Sequence, residues 1–202
     1  MAVYDLERML EGDRLSRGER RTRPRFFGDD IWKYQIILRH YEYWIGKRGL
    51  IASLVRGYWH YRYYKESIRL NFEIPPFVFG AGLSIAHRGP IIVNPSAKIG
   101  ENCRIHSGVN IGTAAGTQNS APEIGDNCYI GPGAKLFGPI RISNGVAIAA
   151  QAVINKSCER ENVTLGGVPA EVISERGASD YIIAGSRIFD QTKEAAKCHR
   201  QV

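Results

Sequence analysis

Between residues 79 and 165 an isoleucine, leucine or valine returns every six residues. The positions are Val93, Ile99, Ile105 and Ile111, then Ile124, Ile130, Leu136, Ile142, Ile148 and Ile154. Two places before most of them stands a second small or apolar side chain: Ala97, Cys103, Val109, Cys128, Ala134, Ile140, Val146 and Ala152. A helix buries a residue roughly every 3.6 positions and a half-buried strand every second one, and neither period alone gives a six-residue beat. A short unit that cannot bury its own apolar face must stack on copies of itself. The pattern therefore predicts a mainly β solenoid, a β-helix of hexapeptides with three short strands to each turn of about eighteen residues. The rest of the hexad agrees. Gly100, Gly112, Gly125 and Gly131 follow the periodic residue. Asn102, Gly108, Asn127, Gly133 and Gly145 stand three places after it, and these types tolerate the positive φ of a tight corner. A β-sandwich of short strands would not hold ten positions in step with one break.

The flanks follow other periods. Residues 1–28 interleave Arg14, Arg17, Arg20, Arg21, Arg23 and Arg25 with Gly, Ser, Thr and Pro24, and read as a flexible basic arm with at most a helical turn or two over residues 4–11. Residues 29–73 predict a helical hairpin. Asp29 and Asp30 cap a first helix with Ile31, Tyr34, Ile37, Leu38, Tyr41 and Ile45 as its apolar positions; residues 46–49 interrupt it, and a second helix runs from about Leu50 to Leu70. Pro75 and Pro76 stop the helix. The solenoid spans residues 74–173, and the helical segment caps its open strand edge. Residues 174–202 form an appendage with a weak helical pattern at Ile182, Ile183, Ile188 and Phe189. From Ile111 to Ile124 the step is thirteen, so a Gly- and Thr-rich loop over residues 112–122 is expected to replace one strand's worth of sequence and protrude.

Charge changes the picture only at the N-terminal end. The net charge is +7, and residues 1–70 carry 15 Lys/Arg against 9 Asp/Glu. Aromatic and basic residues alternate from Arg56 to Lys65, which suits either an anionic membrane surface or packing on the solenoid or a neighbouring subunit. No nucleic-acid module is recognisable. Four cysteines make no disulfide framework and no metal-ligand spacing; Cys103 and Cys128 fall on inward positions as small core residues. A reduced, cytoplasmic setting is expected, at the inner face of the membrane if the basic aromatic segment meets lipid; no metal is expected.

The repeat holds two histidines, His87 two places after Ile85 and His106 one place after Ile105. Counting hexads, with a small bulge at residues 90–93, puts them on one face in adjacent coils, about 4.8 Å apart. An imidazole can take a hydroxyl proton at neutral pH and return it. His87 and His106 are the candidate catalytic residues.

The residues from Ile85 to Val93 (IAHRGPIIV), the Ile124-Gly125-Asp126-Asn127 and Ile130-Gly131-Pro132-Gly133-Ala134 units, and the Gly166-Gly167-Val168-Pro169-Ala170 ending resemble the hexapeptide-repeat acyltransferases. Within them they resemble the serine acetyltransferase group, and sugar O-acetyltransferases of surface polysaccharides look equally close, particularly through residues 104–112. The resemblance covers residues 74–173. It implies a left-handed parallel β-helix, a homotrimer, and acetyl-CoA as co-substrate in a groove between neighbouring prisms. It makes His87 the general base in direct acetyl transfer to an acceptor hydroxyl. It also gives Gly131, Gly133, Ala149 and Ala150 to a side-chain-free wall beside the pantetheine arm, Gly112 and Thr113 to the cofactor groove, and Lys156 and Gly167 to the nucleotide end. Three positions depart from the serine acetyltransferase pattern. Ala86 replaces an aspartate before the base, Ala121 replaces a second histidine, and Glu171 stands where a basic residue is usual. The first two favour a sugar hydroxyl as acceptor, with serine as the alternative and a non-catalytic trimerisation scaffold as the reading from another class. A metal hydratase would need three His ligands, and the spacing gives it no positive support.

Overall fold

The computed structural model describes residues 4–116 and 120–198, with side chains as far as residue 196. Residues 117–119 of the expected loop lie outside the described residues. Three helices come first: α1 (Leu6–Ser16), α2 (Asp30–Ile45) and α3 (Leu50–Leu70). Short strands follow: β1 (Phe72–Glu73), β2 (Ser84–Ile85), β3 (Ile91–Val93), β4 (Lys98–Ile99), β5 (Arg104–Ile105), β6 (Asn110–Gly112) and β7 (Glu123–Ile124). The stack continues with β8 (Tyr129–Ile130), β9 (Lys135–Phe137), β10 (Arg141–Ile142), β11 (Ala147–Ile148) and β12 (Val153–Ile154). It closes with β13 (Thr164–Gly167), β14 (Ala170–Ser174) and helix α4 (Gly185–Cys198).

Consecutive strands go to three different sheets and return after three steps. One sheet runs β2-β5-β8-β11-β13 in parallel, with β14 added antiparallel; the second runs β1-β3-β6-β9-β12; the third runs β4-β7-β10. The hexad positions stack in columns. Ile85, Ile105, Ile130, Ile148 and Leu165 are successive register partners in the first sheet. Val93, Ile111, Leu136 and Ile154 do the same in the second, and Ile99, Ile124 and Ile142 in the third. These columns and the small residues two places before them are buried and form the core. Cys158, which carries no repeat signal, joins them through a bridge to Ile142. All five expected corner residues have positive φ, from 55° at Asn102 to 79° at Gly108.

The loop differs from expectation. β6 and β7 lie in adjacent sheets, as β3 and β4 do one coil earlier, so no strand is missing. The thirteen-residue step is a lengthened corner, and spacing alone cannot separate the two cases. The N-terminal arm differs as well. Residues 6–16 form α1, which packs on α2 and α4 instead of remaining flexible. Its anchors are polar and non-local. Asp13 accepts from the backbone N–H groups of Gly82 (2.9 Å) and Leu83 (2.8 Å), and Ser16 Oγ accepts from Gly185 N (3.0 Å). An apolar-period reading gives such contacts no weight. Asp29 stands at the start of α2 but does not cap it; its carboxylate takes the Arg21 and Arg25 guanidinium groups instead, which hold it well below the usual carboxylate range. In the tail, α4 begins at Gly185, so Ile182 and Ile183 precede it.

One buried network fastens the helices to the first coil. Arg39, wholly buried on α2, donates to Asp13 on α1 (2.8 and 3.2 Å), to Glu42 (3.0 Å), and to the carbonyls of Phe79 (3.0 Å) and Gly80 (2.7 Å). Glu42 also accepts from Phe77 N (2.7 Å) and the Tyr4 hydroxyl (2.5 Å). Burial works against the Arg39 charge, but the two carboxylates outweigh it and keep the guanidinium protonated.

Candidate active site

The register Ile85↔Ile105 sets the histidines side by side. β2 and β5 hold each other through Ala86 N donating to Ile105 O (3.0 Å), and His106 N donates onward to Ile130 O (3.2 Å). The His87 and His106 rings lie 5.6 Å apart between centroids, tilted by 54°. His87 is exposed beyond the end of β2, where the lengthened turn over residues 86–90 carries it away from the sheet. That turn is tied down at Gly89, whose N–H donates to Leu70 O (3.3 Å), and at Arg88, whose guanidinium pairs with Asp30.

His106 is half-buried, and among the described residues its Nε2 has no hydrogen-bond partner. Burial lowers its pKa, and the nearby charges of Arg104 and His87 add to the effect, so the ring is neutral at neutral pH. A sign follows for stability. As pH falls, the unfolded chain takes up this proton at a higher pH than the folded one, so stability is present above the ordinary histidine value and is lost below it. Between about pH 7 and pH 5, the Tm of the wild type is expected to drop more than that of His106→Gln. Equal drops in a thermal-shift titration would remove His106 as the cause.

Two residues without a repeat signal complete this face. Tyr129 meets the His106 ring edge-on at 5.1 Å, and Tyr181 from the tail lies 5.0 Å beyond it. Tyr129 was visible in principle, because it precedes Ile130 as Arg104 precedes Ile105 and so must point outward. Tyr181 was not, because only the return of the chain after β14 brings it there. Arg17, which follows α1, donates to Ile85 O (3.0 Å) and Gln35 Oε1 (3.1 Å), and with Arg104 makes this strand face basic.

The expected cofactor residues fall into two sets. Gly131, Gly133, Ala149 and Ala150 follow β8 and β11 at the same corner as His106. Their small size has a packing reason within the chain. A Cβ on Gly131 would stand 2.6 Å from Ile148 O and 2.9 Å from Ala150 N, and Gly133 has φ +74° with the Gln151 amide against it. Gly167 continues this edge at the end of β13, with φ +99°. Thr113 and Lys156 instead line a groove of about 760 Å³ with Ala114, Phe137, Pro139 and Ile140, at the opposite end of the β6, β9 and β12 strands. Gly112 ends β6 at the rim of that groove and accepts from Gly138 N (3.1 Å). One chain therefore does not gather the two sets. Ala121 is buried in the core and brings no polar group to the histidine pair. Among the described residues no group of three or more His, Cys, Asp or Glu side chains is placed to hold a metal ion.

The likeness read from the repeat units holds in sequence and in fold. The serine acetyltransferase of Mycobacterium tuberculosis is 34% identical over 149 residues, covering 72% of this chain and 59% of that one. That of Staphylococcus xylosus is 31% identical over 134 residues, covering 63% and 62%. The chain spans about three-fifths of the length of these relatives. Among solved structures, a serine acetyltransferase from Brucella abortus superposes with a TM-score of 0.63 at 26% identity, over 86% of this chain and 69% of that one. A complex of the Brucella abortus protein with coenzyme A gives 0.63 at 26% identity, over 85% and 67%. The soybean serine acetyltransferase, at 23% identity and a TM-score of 0.65 over 83% and 69%, matches in fold. No protein-family model matches the chain.

Proposed function

We propose, from a chain that is serine acetyltransferase-like in sequence and fold, that this protein moves an acetyl group from acetyl-CoA to an acceptor hydroxyl. The observation that carries the reading is the His87–His106 pair at 5.6 Å on one corner of the stacked coils. His87 takes the acceptor proton as the oxygen attacks the thioester carbonyl carbon. The tetrahedral oxyanion is held by backbone N–H groups, and its collapse breaks the C–S bond. The imidazolium formed on His87 returns its proton to the departing thiolate. His106, kept neutral by burial, puts no second positive charge beside His87 as that ring becomes protonated.

The bound coenzyme A of the Brucella abortus structure supports acetyl-CoA as co-substrate. The names of the relatives make serine the better-supported acceptor; the polysaccharide sugar expected first finds no match among them. Ala86 and Ala121 are the observations that keep the sugar as a second reading, because both remove polar groups that the family's pattern places around the amino acid. The separation of the two glycine- and lysine-bearing corners supports a homotrimer of left-handed β-helices, since a groove between copies can take one set from each chain. A cytoplasmic setting belongs to the same reading.

The test is thiol release from acetyl-CoA with serine, nucleotide sugars or oligosaccharides as acceptor. Serine is expected to raise the rate at least about tenfold over hydrolysis, as transfer through a positioned base requires. Release with saccharides alone would transfer the acceptor assignment to the sugar. No release with any acceptor, together with no heat of CoA binding, would leave a scaffold and overturn the enzyme reading.

A further inference from the structure

Among the described residues, helix α3 is attached by one side. Ala52 and Leu70 are buried beneath it, Trp59 stacks on His40 of α2 at 4.4 Å, and Tyr63 donates to Ile74 O (2.8 Å). The opposite side carries Leu50, Leu54, Tyr58, Tyr61, Tyr64 and Ile68 at steps of three and four residues. These six fall on one face, and each is more than half exposed, from 52% at Tyr58 to 80% at Leu50. At helical rise the stripe is about 27 Å long, too extended to be scattered surface residues.

Charge decides what can cover it. Arg56, Arg62, Lys65 and Arg69 stand on α3 against one carboxylate, Glu66. Arg69 is the one paired with carboxylates, those of Glu66 and Asp30; among the described residues the other three bases meet none. A second α3 laid on this face would bring together two copies of Lys65 and Arg62, the unneutralised bases beside the stripe, whereas Arg56 falls on the attached side. An anionic bilayer surface would neutralise them, accept the leucine and isoleucine side chains below the headgroups, and hold the tyrosines at the boundary. No helix among the described residues is long and apolar enough to cross a membrane, so the contact lies along the surface.

A second exposed apolar element adjoins the same end. Phe26 and Phe27 are 86% and 83% exposed. Three residues further on, Asp30 pairs with Arg69 at the end of α3 and with Arg88 beside His87. The stripe, the phenylalanine pair and the turn that carries His87 are thereby linked through one carboxylate.

We propose that the outer face of α3, with Phe26 and Phe27 beside its C-terminal end, docks this protein on an anionic phospholipid surface. The inference is independent of acetyl transfer.

Flotation of the full chain with phosphatidylglycerol/phosphatidylcholine vesicles tests it, with pure phosphatidylcholine as control. Binding is expected to the anionic vesicles only, and to weaken several-fold as salt rises from about 0.1 M to about 0.5 M. Leu54→Glu/Tyr61→Glu is expected to reduce vesicle binding at least about tenfold with helical circular dichroism and gel-filtration size unchanged, since both positions lie on solvent. Wild-type protein that stays with neither vesicle overturns the proposal. So does a double variant that still floats, or one that changes the size of the assembly in protein that ignores lipid. The last outcome would give the stripe to a second copy.

Discussion

His87→Ala is expected to slow acetyl transfer by about 10²–10⁴-fold, the range a positioned general base supplies, while leaving the fold intact. The two halves of this expectation have separate causes. The ring is exposed at the end of β2 and has no place in the core columns, so its loss removes little buried surface. The chemistry loses the group that accepts the hydroxyl proton, and that step is made only in the transition state. The fall should therefore appear in kcat, with KM for acetyl-CoA little changed. His106→Ala is the matched control. It removes a half-buried ring that packs on both His87 and Tyr129, so it should affect stability as well as rate. A His87→Ala enzyme within a factor of about 3 of the wild type would sink the assignment of the base and turn attention to His106, the neighbouring ring.

The largest effect on stability is expected at Arg39. Arg39→Leu leaves Asp13 and Glu42 buried with no cation between them and strands the carbonyls of Phe79 and Gly80. Breaking a buried pair by removing one partner costs about 3–5 kcal/mol. For a chain of this size that corresponds to a fall in Tm on the order of 10 °C. Part of the effect is uncompensated charge and part is stranded backbone groups. A triple variant, Asp13→Leu/Arg39→Leu/Glu42→Leu, should therefore recover only the charge part, because it removes the unpaired carboxylates but still leaves the Phe79 and Gly80 carbonyls and the Phe77, Gly82 and Leu83 N–H groups without these partners. A single variant that melts within about 2 °C of the wild type would show that the network contributes little.

The hexad columns were legible because each is a local rule repeated ten times. The side chain that must point inward, the small residue two places earlier and the corner residue three places later all lie within one unit. The glycines read as a smooth wall for a cofactor have another cause as well, since Gly131 lies against the next coil at Ile148 and Ala150. The histidine pair was legible for the reason the columns were, as register fixes it. Tyr181, Arg17 and the polar anchors of α1 were not, because each meets its partner across a long stretch of chain and no period records the meeting.

By itself the sequence determined a stack of parallel strands, its corners and two imidazoles on one edge, because those features depend on neighbours six or eighteen residues away. Only the tertiary structure decided that the arginine-rich N-terminal segment folds into a helix. It also showed that the thirteen-residue step is a longer corner and that the expected cofactor residues occupy two corners of one chain. Each of these depends on which distant backbone groups a side chain or a loop meets, and burial, hydrogen bonding and charge settle that after the coils have stacked.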